Sequence, residues 1–320
     1  MYKILISDKL GQAGLDRLDG MDDVAYDMIT GMSKEELIAT IAEYDALIIR
    51  SGTKPDAEII AAGAKLKVIG RAGIGVDNVD IAAATQHGVM VMNTPRANSV
   101  ATAEQTMALM LAVSRNTVPA HNSLAAGHWE RSRFVGSELD GKTLGIIGFG
   151  YIGRLVARRA QAFGMNIVAY DPYIPEEVAV EMRAELLALP ELLAQADIIS
   201  LHSVVTPETT NLINGETIKQ MKDGVVIVNV ARGKLIDEQA LADALINGKV
   251  AAAALDVYQQ EPPQGSPLIG LPNVLHTPHL GASSKEAQRR VAVEMVEQVV
   301  DALRGSAFRN VINQLDLARR

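Results

Sequence analysis

Gly148-Phe149-Gly150-Tyr151-Ile152-Gly153 follows the apolar run 143–147 and opens a stretch of helical spacing that ends at Phe163. In such a turn the first glycine permits a tight reversal, the second lets the backbone approach a pyrophosphate, and the third lets helix pack on strand. The N–H groups that open a helix have no partner within it, and the summed peptide dipole favours an anion there. Ile152, Leu155, Val156, Ala160 and Phe163 share one face of that helix, and 166–170 reads as a second strand ending at Asp171. Strand, turn, helix and strand make a βαβ unit, with Asp171 standing 21 residues beyond Gly150. An acid at that distance accepts from both ribose hydroxyls and repels a 2′-phosphate, so the pattern points to NAD rather than NADP.

On the N-terminal side, short strands at 2–7, 46–50, 66–70 and 89–92 alternate with helical stretches beginning near Gly11, Ser33, Asp56 and Val79. A long helical pattern over 99–115 carries Met107, Leu109, Met110, Leu111 and Val113, and a polar stretch with Trp129, Arg131 and Arg133 follows it as a bridge. Beyond Asp171, strands at 197–201, 225–229, 251–255 and 273–276 extend a second sheet to about residue 282. The closing stretch 285–303 is helical and can return to cover the first sheet, which makes the first domain discontinuous. Ligands of such α/β sheets bind beyond the carboxyl ends of the strands, here in a cleft between two lobes.

The 320 residues suggest two domains, and 48% hydrophobic with 4% aromatic residues suits aliphatic parallel sheets. No run approaches the roughly 18 apolar residues that span a bilayer, and 1–7 meets Asp8 too soon for a secretory signal, so no membrane association and a cytoplasmic location are expected. The chain has no cysteine, which excludes disulfides, a thiolate nucleophile and a cysteine zinc site. A net charge of −8 with scattered Lys and Arg argues against nucleic acid as a partner.

A nicotinamide carries its own hydride chemistry, so the protein must supply a carboxylate anchor, a proton donor and a group that orients the donor. Three consecutive strand ends offer candidates: Asn229-Val230-Ala231-Arg232-Gly233, then 256–262 with Glu261, then Thr277-Pro278-His279-Leu280-Gly281-Ala282. Arg232 can clamp a carboxylate with two parallel N–H bonds while polarising the neighbouring carbonyl. A carboxylate such as Glu261 beside His279 would fix its tautomer and favour the imidazolium. His276 and His279 stand three apart, but Pro278 between them rules out a helical metal pair, and no metal site is expected. His202 with Ser203 ends a strand and can line the cofactor groove. Asp256 can accept from a nicotinamide carboxamide or cap the following loop. The backbone at 70–75 suits close approach to a small anion, and Arg50-Ser51-Gly52-Thr53 can bind a phosphate or second carboxylate.

Taken in order, GRAGIGVDNVD at 70–80, NTPRANS at 93–99, GKTLGIIGFGYIGR at 141–154, NVARGKLID at 229–237, ALDVYQQEPP at 254–263 and TPHLGASSKEAQ at 277–288 closely resemble the D-2-hydroxyacid dehydrogenase family. The resemblance covers nearly the whole chain. It implies an α/β protein of two doubly wound parallel sheets, a Rossmann dinucleotide-binding domain (99–283) inserted into a flavodoxin-like substrate-binding domain (1–98 plus 284–320). By the same resemblance Arg232 anchors and polarises the substrate, Glu261 supports the histidine, and His279 is the acid/base. Backbone at Ile74 and Gly75 would hold the substrate carboxylate, with Arg50, Ser51 and Asn98 near its distal group. Tyr151, Ile152, Asp171, Ser203, Val230, Asp256 and Ala282 match cofactor positions, and Ile74, Gly148, Gly150, Gly153, His202, Ala231, Arg232, His279 and Gly281 complete the NAD set.

The resemblance further implies a homodimer, or a dimer of dimers, built on 99–140, with Arg131 reaching into the partner's cleft. The expected substrate is a small 2-hydroxy or 2-keto acid, phosphoglycerate by preference; a hydroxypyruvate or glyoxylate reductase is the alternative, and an NADH-sensing corepressor a remote one. Two departures stand out. Val204 follows His202-Ser203 where members often carry proline, which puts the shape of the adenosine-side loop in doubt, and the match ends near Asn313-Gln314, short of a serine-sensing regulatory domain found in longer members, so serine feedback is not expected.

Overall fold

The computed structural model describes residues 1–313. The chain divides into two compact units, one formed by Met1–Ser99 together with the segment from Ala282 onward, the other by Val100–Gly281. Of the closing segment assigned above to substrate binding, 314–320 lie outside the described residues.

The first unit holds a parallel five-stranded sheet: β1 (Tyr2–Ile6), β2 (Val24–Met28), β3 (Ala46–Ile49), β4 (Val68–Arg71) and β5 (Met90–Asn93) in the order β2-β1-β3-β4-β5. Ala-Leu-Ile-Ile in β3 is buried at every position, as a strand covered on both faces must be. The chain leaves β1 in one direction to make β2 and resumes on its other side with β3, so the order reverses between β1 and β3. Such a reversal opens a crevice outside the carboxyl ends of those two strands.

The closing helix Lys285–Arg304 supplies part of the cover of this sheet. The Ser284 side chain caps it by accepting from Ala287 N–H at 3.1 Å, and Gly305, at φ 69°, ends it in the left-handed conformation that glycine adopts at little cost. Val291, Met295, Val299 and Leu303 recur at helical spacing and are buried with Ile4, Ile6, Ile48 and Val68. A Cβ on Gly70 would stand 2.4 Å from the Met295 sulfur, so β4 and this helix approach more closely than any larger residue allows.

The second unit contains β6 (Thr143–Ile147), β7 (Asn166–Tyr170), β8 (Glu185–Leu186), β9 (Ile198–Leu201), β10 (Val225–Asn229), β11 (Val250–Leu255) and β12 (Val274–His276). They form a parallel seven-stranded sheet ordered β12-β11-β10-β9-β6-β7-β8, with its reversal between β6 and β9. Both sheets are doubly wound, as the sequence pattern implies. The pattern passes over β2 and β8 because both are edge strands with little continuous apolar sequence. It also passes over the helix Thr117–Ala125, which buries none of its residues. Among the described residues no helix is long and apolar enough to cross a membrane.

Candidate active site

The glycine turn closes β6 and opens the helix Tyr151–Ala162. Gly148 adopts φ 92°, and a Cβ there would meet the backbone of His202 and Ser203 at 2.6 Å. On Gly153 it would meet the Gly148 carbonyl at 2.3 Å, which is the close packing of helix on strand. Gly150 faces open space within 4 Å, and no side chain caps the helix that begins at Tyr151 and Ile152. The turn is thus crowded where protein meets protein and open where a phosphate would approach. Asp171, at the end of β7, accepts from Phe149 N–H at 2.9 Å and from Tyr173 N–H at 3.0 Å, which ties the acid to the turn. An uncapped helix start, an open glycine and an adjoining carboxylate suit a dinucleotide.

His202 and Ser203 follow β9, and the His202 Nε2 pairs with Ser200 Oγ at 2.8 Å. Burial pushes the His202 imidazole down to about 4, so it stays neutral at physiological pH. After Ser203 the chain carries an exposed Val204, whose carbonyl accepts from Thr209 Oγ1 at 2.7 Å; hydroxyl bonds of Thr206 and Thr209 shape this turn where proline would otherwise stiffen it.

The trio comes from three neighbouring strands. At the end of β10 the buried Asn229 donates to the Arg232 carbonyl at 2.9 Å and accepts from Ala231 N–H at 3.0 Å, so one side chain folds the 229–232 turn. Val230 is buried in that turn, and the Arg232 guanidinium donates to the Ala231 carbonyl at 2.7 Å. After β11 comes Asp256, fully buried, whose carboxylate accepts from Thr277 Oγ1 at 2.5 Å, Leu280 N–H at 2.7 Å and Gly281 N–H at 2.8 Å. These bonds cap the loop after β12 on which His279 sits. A Cβ on Gly281 would stand 3.3 Å from that carboxylate.

His279 adopts φ 55°, a left-handed conformation uncommon outside glycine, and its N–H donates to the Asp256 carbonyl at 2.8 Å. Its Nδ1 donates to Glu261 Oε2 at 2.7 Å, and Glu261 Oε1 accepts from Tyr258 N–H at 3.2 Å. Burial raises the Glu261 carboxyl, but the bond and charge of His279, the Tyr258 N–H and the charge of Arg232 outweigh it and hold the group below its ordinary value. With Nδ1 committed to Glu261, Nε2 is the nitrogen left to exchange a proton with a ligand. Tyr258 is held in turn: its hydroxyl pairs with His276 Nδ1 at 3.0 Å, and burial pushes its phenol up to about 12.

Sequence reasoning missed Asn229, Gly233 and the pair Tyr258–His276. A Cβ on Gly233 would stand 1.8 Å from the Tyr258 carbonyl carbon, so the turn bearing Arg232 and the turn bearing Glu261 touch backbone to backbone. The only signal for this in the sequence is a glycine directly after a strand-end arginine.

The remaining candidates lie in the first unit, apart from Arg131, which is exposed in the turn Arg131–Phe134 of the second. Ile74 and Gly75 follow β4, and the Ile74 carbonyl accepts from the buried Asn93 Nδ2 at 2.6 Å. Asn98 is buried just ahead of the helix Ser99–Ser114, Arg50 and Ser51 follow β3, and Ala282 opens the returning segment.

Residues 107–281 match the model of the D-isomer specific 2-hydroxyacid dehydrogenase NAD binding domain. The chain belongs to the D-isomer specific 2-hydroxyacid dehydrogenase family. Its sequence is 51% identical over 314 residues to a D-3-phosphoglycerate dehydrogenase of Methanocaldococcus jannaschii, covering 98% of this chain and 60% of that protein. It is 46% identical to a D-3-phosphoglycerate dehydrogenase of Archaeoglobus fulgidus, covering 97% of this chain and 59% of the relative. The chain therefore spans about three fifths of the length of these relatives. A glyoxylate reductase structure from Paecilomyes thermophila superposes with a TM-score of 0.89 at 33% identity, covering 98% of this chain and 99% of that one.

Proposed function

We propose that this chain is an NAD-dependent D-2-hydroxyacid dehydrogenase that interconverts 3-phosphoglycerate and 3-phosphohydroxypyruvate, the first step of serine biosynthesis. The observation that carries the reading is the pairing of Glu261 with His279, Nδ1 and Oε2 2.7 Å apart, beside the neighbouring strand end that bears Arg232, whose charge helps hold the Glu261 carboxyl below its ordinary value. In this reading the Arg232 guanidinium binds the substrate carboxylate and draws electron density from C2. His279 Nε2 takes the hydroxyl proton during oxidation and returns it to the carbonyl oxygen during reduction, while Glu261 holds the imidazole and offsets its positive charge. When bound, the nicotinamide supplies or accepts the hydride exchanged at C2. Gly150 and the N–H groups at Tyr151 and Ile152 would hold its pyrophosphate, and Asp171 its ribose. Val230, Ala231, Ser203, His202, Asp256, Gly281 and Ala282 belong to the same cofactor set.

Ile74 and Gly75 are assigned to the substrate carboxylate, and Arg50, Ser51, Asn98 and Arg131 to its distal end. The preference for a phosphorylated substrate rests on the similarity to the two phosphoglycerate dehydrogenases and on these arginines. A hydroxypyruvate or glyoxylate reductase is the second reading, favoured by the likeness to the glyoxylate reductase structure. The exposed Val118, Leu124, Trp129 and Val135 support a homodimer built on this part of the second unit, within a cytoplasmic enzyme.

Initial rates with phosphohydroxypyruvate, hydroxypyruvate and glyoxylate, each with NADH and NADPH, test the reading. Phosphohydroxypyruvate with NADH is expected to give the highest kcat/KM, and a preference for either smaller acid would replace the substrate assignment. Asp171→Asn keeps the shape of the acid and removes its charge, so discrimination against NADPH is expected to fall by about tenfold, the equivalent of ~1.4 kcal/mol. Unchanged discrimination would take Asp171 out of the cofactor site.

A further inference from the structure

The reversal between β1 and β3 is occupied by a device that no catalytic role accounts for. Asp8, two residues beyond β1, turns one carboxylate oxygen, Oδ2, to two backbone donors of the next loop: Arg50 N–H at 2.6 Å and Thr53 N–H at 3.0 Å. Asn78 gives both hydrogens of its Nδ2 to the carbonyls of the same two residues, at 2.7 Å for Arg50 and 2.6 Å for Thr53. Four backbone groups of the 50–53 loop are therefore satisfied by two side chains. The Ser7 and Thr53 hydroxyls join the strand end to the loop at 2.8 Å. Gly52 lies over the carboxylate: a Cβ there would be 2.5 Å from Asp8 Oδ1.

Neither residue caps a helix at this point or belongs to a strand ladder; their bonds serve the shape of one short loop. That loop stands where open α/β sheets bind ligands, outside the carboxyl ends of the strands that flank the reversal. With the backbone groups of Arg50 and Thr53 committed internally, the loop meets a ligand through the side chains of Arg50 and Ser51 and the 51–52 backbone between those anchors. A misplacement of about 1 Å in a group that positions substrate can cost about a hundredfold in rate. We propose that Asp8 and Asn78 are positioning residues that preset the 50–53 loop and thereby decide which distal group of the substrate is accepted. This rests on the reading above, in which Arg50 and Ser51 meet that distal group. A substrate with no distal group does not sense the loop.

The test compares kcat/KM for phosphohydroxypyruvate, hydroxypyruvate and glyoxylate in the full chain and in Asn78→Asp, which keeps the size of the side chain but cannot donate to two carbonyls when ionised. The ratio of phosphohydroxypyruvate to glyoxylate is expected to fall about tenfold to a hundredfold, mainly through KM, with glyoxylate within about threefold of the parent, as a one-ångström misplacement allows. Gly52→Ala, which crowds Asp8 from the other side, is expected to shift the ratio in the same direction and serves if Asn78→Asp does not fold. Equal losses on all three acids, or an unchanged ratio in both variants, would overturn the proposal while leaving the dehydrogenase reading intact. A parent chain that prefers glyoxylate would overturn the phosphate assignment alone, since the proposal still requires the ratio to move. A parent that reduces none of the three would overturn both.

Discussion

Replacing His279 by glutamine is expected to lower kcat by about a hundredfold to ten-thousandfold, the range lost when a positioned acid/base is removed, while the affinity for NADH stays near that of the parent. The imidazole is bound through Nδ1 to Glu261 at 2.7 Å, which leaves Nε2 to exchange the proton. A glutamine amide can donate a hydrogen bond but cannot take up a proton and return it near neutral pH. The groups assigned to the NADH pyrophosphate and ribose, the 148–153 turn and Asp171, do not depend on that exchange. His279 has a φ of 55°, where asparagine is tolerated better than most residues, so His279→Asn gives a second measure with less backbone strain. Rapid kinetics and NADH titration of the two variants check this. A rate within a few-fold of the parent would remove His279 from the chemistry.

The second large effect is expected at a residue that touches no ligand. A Cβ on Gly233 would stand 1.8 Å from the Tyr258 carbonyl carbon and 2.0 Å from its oxygen, so Gly233→Ala must push the 258–261 turn away. That turn cannot move freely. Gln259 Nε2 donates to the Ile236 carbonyl at 2.6 Å, and Gln259 N–H donates to Glu238 Oε1 at 2.7 Å. The strain therefore reaches Arg232 on one side and the Tyr258 N–H that holds Glu261 on the other. Overpacking of this kind typically costs about 1–3 kcal/mol of stability. Displacing the arginine and the carboxylate together is expected to lower kcat/KM by at least about a hundredfold. Thermal unfolding and steady-state rates measured on the same preparation separate the two costs. Parent-like activity in Gly233→Ala would show that the two turns are not mechanically joined.

What the sequence made legible follows from how local each signal is. The glycine turn, its helix and Asp171 are contained in a single βαβ unit, so spacing alone revealed them. Arg232, Glu261 and His279 were readable as strand-end residues, because parallel sheets place consecutive strand ends on the same side. Their arrangement was not readable: the Glu261–His279 bond and the approach of the Arg232 turn to the Glu261 turn depend on Asn229 folding the first turn and Asp256 shaping the third, both through bonds to backbone N–H and C=O groups that any sequence possesses. Asp256 suits both a carboxamide contact and capping on sequence grounds, and its three bonds show that it caps. The edge strand β2 and the two-residue β8 escaped notice because a half-exposed edge needs no apolar run. Asp8 and Asn78 gave no signal, since nothing in sequence spacing brings residues 8, 50 and 78 together.

In the proposed mechanism Glu261 acts on catalysis only through His279, the two forming one proton-handling unit. A double-substitution cycle in kcat with Glu261→Gln, His279→Gln and both together tests it most directly. The double variant is expected to be no slower than His279→Gln alone, because removing the imidazole already removes everything the carboxylate contributes. Losses that multiply in the double variant would show two independent contributions and contradict it.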